Sequence, residues 1–129
     1  MTRKNNYRIL ITGSRDWDDE GKIKFALAEA AKASAGYDDI VIVSGACPTG
    51  ADLLCEIEAF RLGWQVERHP ANWKLYAKRA GFIRNKNMVQ MGANVCIAFI
   101  KNASKGASHT AGLAQEAGIA TTIYREVMA

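Results

Sequence analysis

The sequence predicts an α/β fold: one domain with an open, mostly parallel sheet of about five strands in the order 3-2-1-4-5 and helices on both faces. Three observations carry this. Apolar runs without alternation recur along the chain, at Ile9-Leu10-Ile11, Ile40-Val41-Ile42-Val43 and Val95-Cys96-Ile97-Ala98-Phe99, as strands buried on both faces require. Segments with apolar residues at helical spacing separate them. Right-handed crossovers, with the most apolar strands central, then select the order.

The first strand runs from Tyr7 and stops at Thr12-Gly13-Ser14-Arg15. Gly13 permits a turn and a close approach. Acidic residues 18–20 suit a helix start, and Ile23, Ala26, Leu27 and Ala30 share one face of a helix over residues 18–34. The second strand runs into Ser44-Gly45-Ala46-Cys47-Pro48-Thr49-Gly50-Ala51-Asp52, where Thr49 is the expected N-cap of a helix ending at Gly63. Residues 65–68 read as a short third strand. Pro70 opens a loop in which Trp73, Leu75 and Tyr76 are expected to tuck against the fold, and Gly81 interrupts any helix there. A helix over residues 82–91, the fourth strand, a loop over residues 101–109, a last helix from Thr110 and a fifth strand over residues 120–124 complete the chain.

Composition bounds the answer. A 129-residue chain with 49% hydrophobic and 23% charged residues has the make-up of a globular domain, not of a disordered one. No apolar run nears the roughly 20 residues that span a bilayer, and no signal-peptide core follows the polar start 1–6, so no membrane partner is expected. Cys47, Cys55 and Cys96 lack metal or disulfide spacing and fit reduced thiols in a cytoplasm; no metal site is expected. Charge is uneven. The window 68–115 holds eight bases and no acid, whereas residues 1–67 carry −3. That asymmetry points to an anionic partner.

The predicted strand order brings the loops 13–17, 45–52 and 101–110 together at the switch point, where open α/β sheets bind ligands. Two familiar phosphate loops are excluded. Arg15 and Asp18 stand where a dinucleotide fingerprint needs glycines, and Ala51-Asp52 replaces the Lys-Ser/Thr of a nucleotide-hydrolysing loop. What remains is a set of backbone amides at helix starts. Gly13, Ser14 and Gly106 are assigned to cradle a phosphate and Arg15 and Arg84 to neutralise it. Gly45, Gly50 and Ser108 belong to the same loops. Asp52 is either a surface acid satisfying a helix dipole or a ligand contact. His109 and Thr110 are a cap or ligand contacts. Trp17, at the first loop's tip, is a candidate for stacking on a base. Trp73 is assigned to core packing and Cys47 to filling space.

Taken together, I-T-G-S-R-D-W, S-G-A-C-P-T-G-A-D-L, G-F-I-R-N-K-N-M and K-G-A-S-H-T-A-G-L-A resemble the YspA-like branch of the SLOG superfamily over nearly the whole chain. That Rossmann-like superfamily also holds the LOG phosphoribohydrolases and the DNA-processing protein A family. The resemblance implies a nucleotide or nucleotide-derived ligand, sensed or processed, in some branches during phage conflict. Arg84, Asn85 and Met88 look like the LOG R-K-x-x-M motif, whose arginine helps position a phosphoribosyl group. The LOG catalytic glutamate is missing: aligned on Thr110, its position holds Leu113. An N-glycosidase, with Asp52 and Arg84 as candidate catalytic residues, is therefore the alternative to binding alone. A single-stranded nucleic-acid module using the basic window, as the resemblance to DNA-processing relatives suggests, is the third reading; it is set behind because no aromatics interleave that window beyond Trp73, Tyr76, Phe82 and Phe99, the last expected in a strand. A homodimer is implied by LOG-like relatives, with Met88 and Met91 as interface candidates.

Overall fold

A computed structural model describes residues 4–126; the first three residues of the polar start and the last three of the chain lie outside it. The elements are β1 (Tyr7–Gly13), α1 (Glu20–Ala31), β2 (Ile40–Ser44), α2 (Gly50–Leu62), β3 (Gln65–Arg68), α3 (Trp73–Tyr76), α4 (Ala80–Met91), β4 (Val95–Lys101), α5 (Lys105–Glu116) and β5 (Ala120–Glu126). Five parallel strands lie in the order β3-β2-β1-β4-β5, as the sequence predicts.

Alternate residues of the central strands feed two cores. Ile9, Ile11, Ile42 and Phe99 pack with Ile23 and Leu27 of α1 and the small residues Ala51, Cys55 and Ala59 of α2. On the other face Leu10, Val41, Val43 and Cys96 meet Met88 and Val89 of α4 and Ala114 of α5. Met88 is thus a core residue and not an interface candidate; Met91 is exposed. Small residues on α2 let that helix lie close to the sheet. A Cβ on Gly13 would collide with the Ala51 side chain and stand 3.0 Å from the Phe99 carbonyl oxygen, so the glycine sets this approach.

Helix boundaries depart from expectation in four places. The Asp19 side chain accepts the Lys22 N–H at 3.0 Å, so α1 starts at Glu20. Its last expected residues, Lys32–Ser34, form a 3-10 turn. Gly81 sits inside the first turn of α4 and interrupts nothing. The α5 helix starts five residues before Thr110. Thr49 does occupy the N-cap position of α2, but its hydroxyl makes no capping hydrogen bond.

A clamp ties the edge strand β3 to the central β1. Arg8 grips Glu67 through two hydrogen bonds of 2.8 and 3.0 Å and donates from Nε to the Gly92 carbonyl at 3.0 Å. His69 Nε2 meets Glu67 Oε2 at 2.7 Å. The Arg8 hydrogen bond is the main reason the Glu67 carboxyl is held down at about 2. Its folded pKa lies below the ordinary value. The clamp's contribution is therefore present above about pH 4.5 and lost as pH falls through about 2. Glu67→Gln is expected to lower stability by about 1–2 kcal/mol at pH 7. The difference from wild type should shrink to nothing in urea unfolding at the acid end; an equal cost at pH 7 and at pH 2 would contradict this origin.

Candidate functional site

The C-terminal ends of β1, β2 and β4 open into one cleft of about 940 Å³. It is lined by the first loop (Gly13, Ser14, Arg15), the second (Gly45, Cys47, Asp52), the start of α5 (Gly106, Ala107) and α4 (Phe82, Arg84, Asn85). The arm between β3 and α4 forms a further wall through Pro70, Trp73 and Lys78.

The first loop is locked from within. Ser14 donates its N–H to the Phe99 carbonyl at 2.9 Å, and its hydroxyl accepts the Lys101 N–H at 2.8 Å and faces the Lys101 carbonyl at 3.3 Å. Its own carbonyl accepts the N–H groups of Trp17 and Ala51, each at 3.2 Å. Ser14 is thus the joint between β1, β4 and α2. Neither its amide nor its hydroxyl is left for a phosphate, which corrects the role expected of it. Trp17 is likewise displaced from its expected role. The turn folds it back so that it is 3% exposed, tilted against Phe99 at 5.4 Å, with Nε1 donating to the Asp19 carbonyl at 3.1 Å. It stacks on the core and lines no part of the cleft.

The second loop carries the site's charged heart. Arg84 donates from Nη1 to the carbonyls of Gly45 and, at 3.3 Å, His69, and from Nε to the buried Asn85 Oδ1 at 2.7 Å. Much of its donor fork thus braces the loop. Burial lowers the Arg84 pKa, and Asp52 nearby partly offsets that. A side chain on Gly45 would stand 2.7 Å from Arg84 Nη1 and 3.0 Å from Asp52 Oδ2, so the bare backbone there lets both groups approach. Asp52 is 7% exposed and accepts the Cys47 N–H at 3.2 Å. Burial pushes its carboxyl up to about 6, against the pull of that hydrogen bond, Arg84 and Arg15. Asp52 is therefore no surface acid. Gly50 lies beneath the cleft, against the Ser14–Arg15 backbone.

The third loop differs most from expectation. Asn102 and Ala103 both take left-handed φ, of 53° and 56°, and the chain enters α5 directly. Only Gly106 of the four residues expected here lines the cleft. Ser108 lies exposed further along α5, and exposed His109 meets Phe82 edge-to-face at 4.9 Å. Thr110 is buried, its hydroxyl donating to the Gly106 carbonyl at 3.2 Å.

Sequence reasoning missed the arm. Trp73 is 51% exposed on the cleft wall, its ring 3.6 Å from where a Gly81 Cβ would stand. Leu75 and Tyr76 are exposed too. A four-residue helix, capped by Asn72 Oδ1 on the Leu75 N–H at 3.1 Å, has no inward face to bury them. The two tryptophans have exchanged their expected places. Among the described residues, Arg15 and Lys78 are exposed cations on the cleft that pair with no carboxylate, whereas Lys101 reaches the Asp16 carbonyl at 3.3 Å and Asp18 at 3.5 Å. Also among them, no three His, Cys, Asp or Glu side chains group as a metal site needs, and no helix is long and apolar enough to cross a membrane.

Comparison with known proteins gives two matches. Residues 7–76 match the model of the YspA, cpYpsA-related SLOG family. The Gene 61 protein of Mycobacterium phage D29 is 41% identical over 117 residues, which cover 87% of this chain and 91% of that protein. No solved structure matches significantly.

Proposed function

The chain belongs to the YspA, cpYpsA-related SLOG family, and on that footing we propose that its cleft binds a nucleotide or nucleotide-derived phosphate ligand. Family membership suggests nucleotide-related binding or processing. The observation that carries the finer reading is the pairing, in one cleft, of unpartnered cations with an exposed aromatic wall. Arg15 and Lys78 take the phosphate, with the start of α5 at Gly106 adding N–H groups. The Trp73 face takes the base, in the role expected of Trp17. Arg84 positions the Gly45 loop and adds charge from behind.

A thermal-shift panel of AMP, ADP-ribose, NAD and cyclic dinucleotides identifies the ligand class, and calorimetry then measures it. Arg15→Ala is expected to weaken the best ligand about tenfold, or about 1.4 kcal/mol, with an unchanged melting temperature. Trp73→Ala should cost a similar factor. Unchanged affinity in both variants would remove the cleft reading.

A second reading, hydrolysis of a nucleoside-monophosphate N-glycosidic bond, is favoured by Asp52 alone. Its carboxyl, raised to about 6, is half protonated near pH 6 inside the cleft, where an ordinary carboxyl is ionised. It would supply the acid that α5 lacks, since Leu113 packs against the core. Free base released from AMP near pH 6 by wild type and not by Asp52→Asn carries this reading. No release from any mononucleotide leaves binding alone.

A further inference from the structure

The arm that walls the cleft has a second side. Trp73 looks onto the cleft, while Tyr76 lines a smaller groove of about 220 Å³ with Arg68, His69 and Asn72. Pro70 and Arg84 line both depressions, so the two adjoin at the base of the arm. The arm itself carries Lys74, Lys78 and Arg79, all exposed and none paired with a carboxylate among the described residues. The nearest acid along the chain toward the C-terminus is Glu116. Exposed aromatic rings set between unneutralised cations are costly as a bare surface. They suit a chain of stacked bases joined by phosphates, because every base has a face to stack and every link a charge to neutralise.

We propose that this arm and its two flanking depressions are a path for single-stranded nucleic acid, one nucleotide of which occupies the cleft. The inference rests on the reading of the cleft as a nucleotide site and names the strand as its source. The short arm between two hollows favours a flexible single strand over a duplex, because a strand must bend and expose its bases to reach Trp73 and Tyr76 in turn. A free mononucleotide would use Trp73 and leave Tyr76, Lys74 and Arg79 idle.

The test compares AMP, by calorimetry, with fluorescein-labelled oligo(dT) of about twelve nucleotides, by anisotropy. The oligonucleotide is expected to bind at least about tenfold more tightly than AMP and to lose about tenfold or more between roughly 50 and 200 mM salt. The pair Lys74→Glu with Arg79→Glu, and separately Tyr76→Ala, should each weaken the oligonucleotide about tenfold while AMP binding stays put. None of the three residues lines the cleft, so AMP serves as the fold and site control. AMP binding with no gain for the oligonucleotide overturns the strand path and leaves the nucleotide cleft standing. Oligonucleotide binding that ignores the arm variants, or equal binding to phosphatidylserine vesicles with the same variant dependence, also overturns it. Loss of AMP and oligonucleotide together in wild type removes both readings.

Discussion

Gly50→Ala is expected to destabilise the protein by about 3 kcal/mol or more, although the substitution adds one methyl group. Gly50 opens α2 with φ +73°, a left-handed conformation that alanine adopts at a cost. A Cβ there would also run into the Ser14 carbonyl oxygen and stand 2.5 Å from the carbonyl carbon of Arg15. Those atoms cannot yield cheaply. The Ser14 carbonyl holds the N–H groups of Trp17 and Ala51, and Ser14 is itself bonded to Phe99 and Lys101. Strain at Gly50 therefore spreads to the joint of β1, β4 and α2, and through it to Arg15. Gly106→Ala is the control. Nothing stands within 4 Å of its Cβ position and it lies in the first turn of α5, so alanine should be neutral or stabilising by up to about 1 kcal/mol. Urea midpoints of the two variants should move in opposite directions or differ by most of this cost. Equal, small shifts would mean that the first loop is not the rigid joint described.

Both glycines look alike in the sequence: each stands in a small-residue loop before a helix. Only packing separates a glycine that supports the cleft floor from one that borders the cleft. The same limit explains most departures. Strand runs, crossover handedness and strand order were legible because burial on both faces leaves its mark on every strand residue, and the convergence of the three loops follows from that order. Side-chain commitments were not. Ser14 reads as a free hydroxyl until β4 is placed beside it. Trp17 reads as a loop tip until the chain turns back on Ser14. The early start of α5 depends on left-handed φ at Asn102, which asparagine tolerates, and at Ala103, which its residue type does not announce. The exposed arm followed from a negative fact, the lack of an inward face on a four-residue helix, which the apolar letters Trp73, Leu75 and Tyr76 hide.

Asp52→Asn is expected to be more stable than wild type at pH 8, by as much as about 3 kcal/mol, and equal to it near pH 4. The carboxyl is raised from 3.8 to about 6 in the folded chain, chiefly by burial. A raised carboxyl contributes fully below its unfolded value, and that contribution is lost as pH rises through about 6. Arg84 offsets the charge only in part, its Nη1 and Nε serving the Gly45 and His69 carbonyls and Asn85. Among the described residues only the Cys47 N–H bonds the carboxylate, and an asparagine Oδ1 accepts that bond equally well. A variant less stable at pH 8 would mean that this hydrogen bond, in its charged form, outweighs burial. The same charge should shape binding. A phosphate brought beside Asp52 raises its pKa further, so binding takes up a proton and tightens as pH falls from about 8 toward about 6. A phosphodiester dinucleotide, which does not titrate in that range, reads this directly by calorimetry in buffers of different ionisation enthalpy. Asp52→Asn should bind it more tightly than wild type at pH 8, without proton uptake. If the cleft also hydrolyses mononucleotides, the variant should lose turnover while gaining affinity. That divergence separates an acid that takes part in chemistry from a buried charge that merely opposes the ligand.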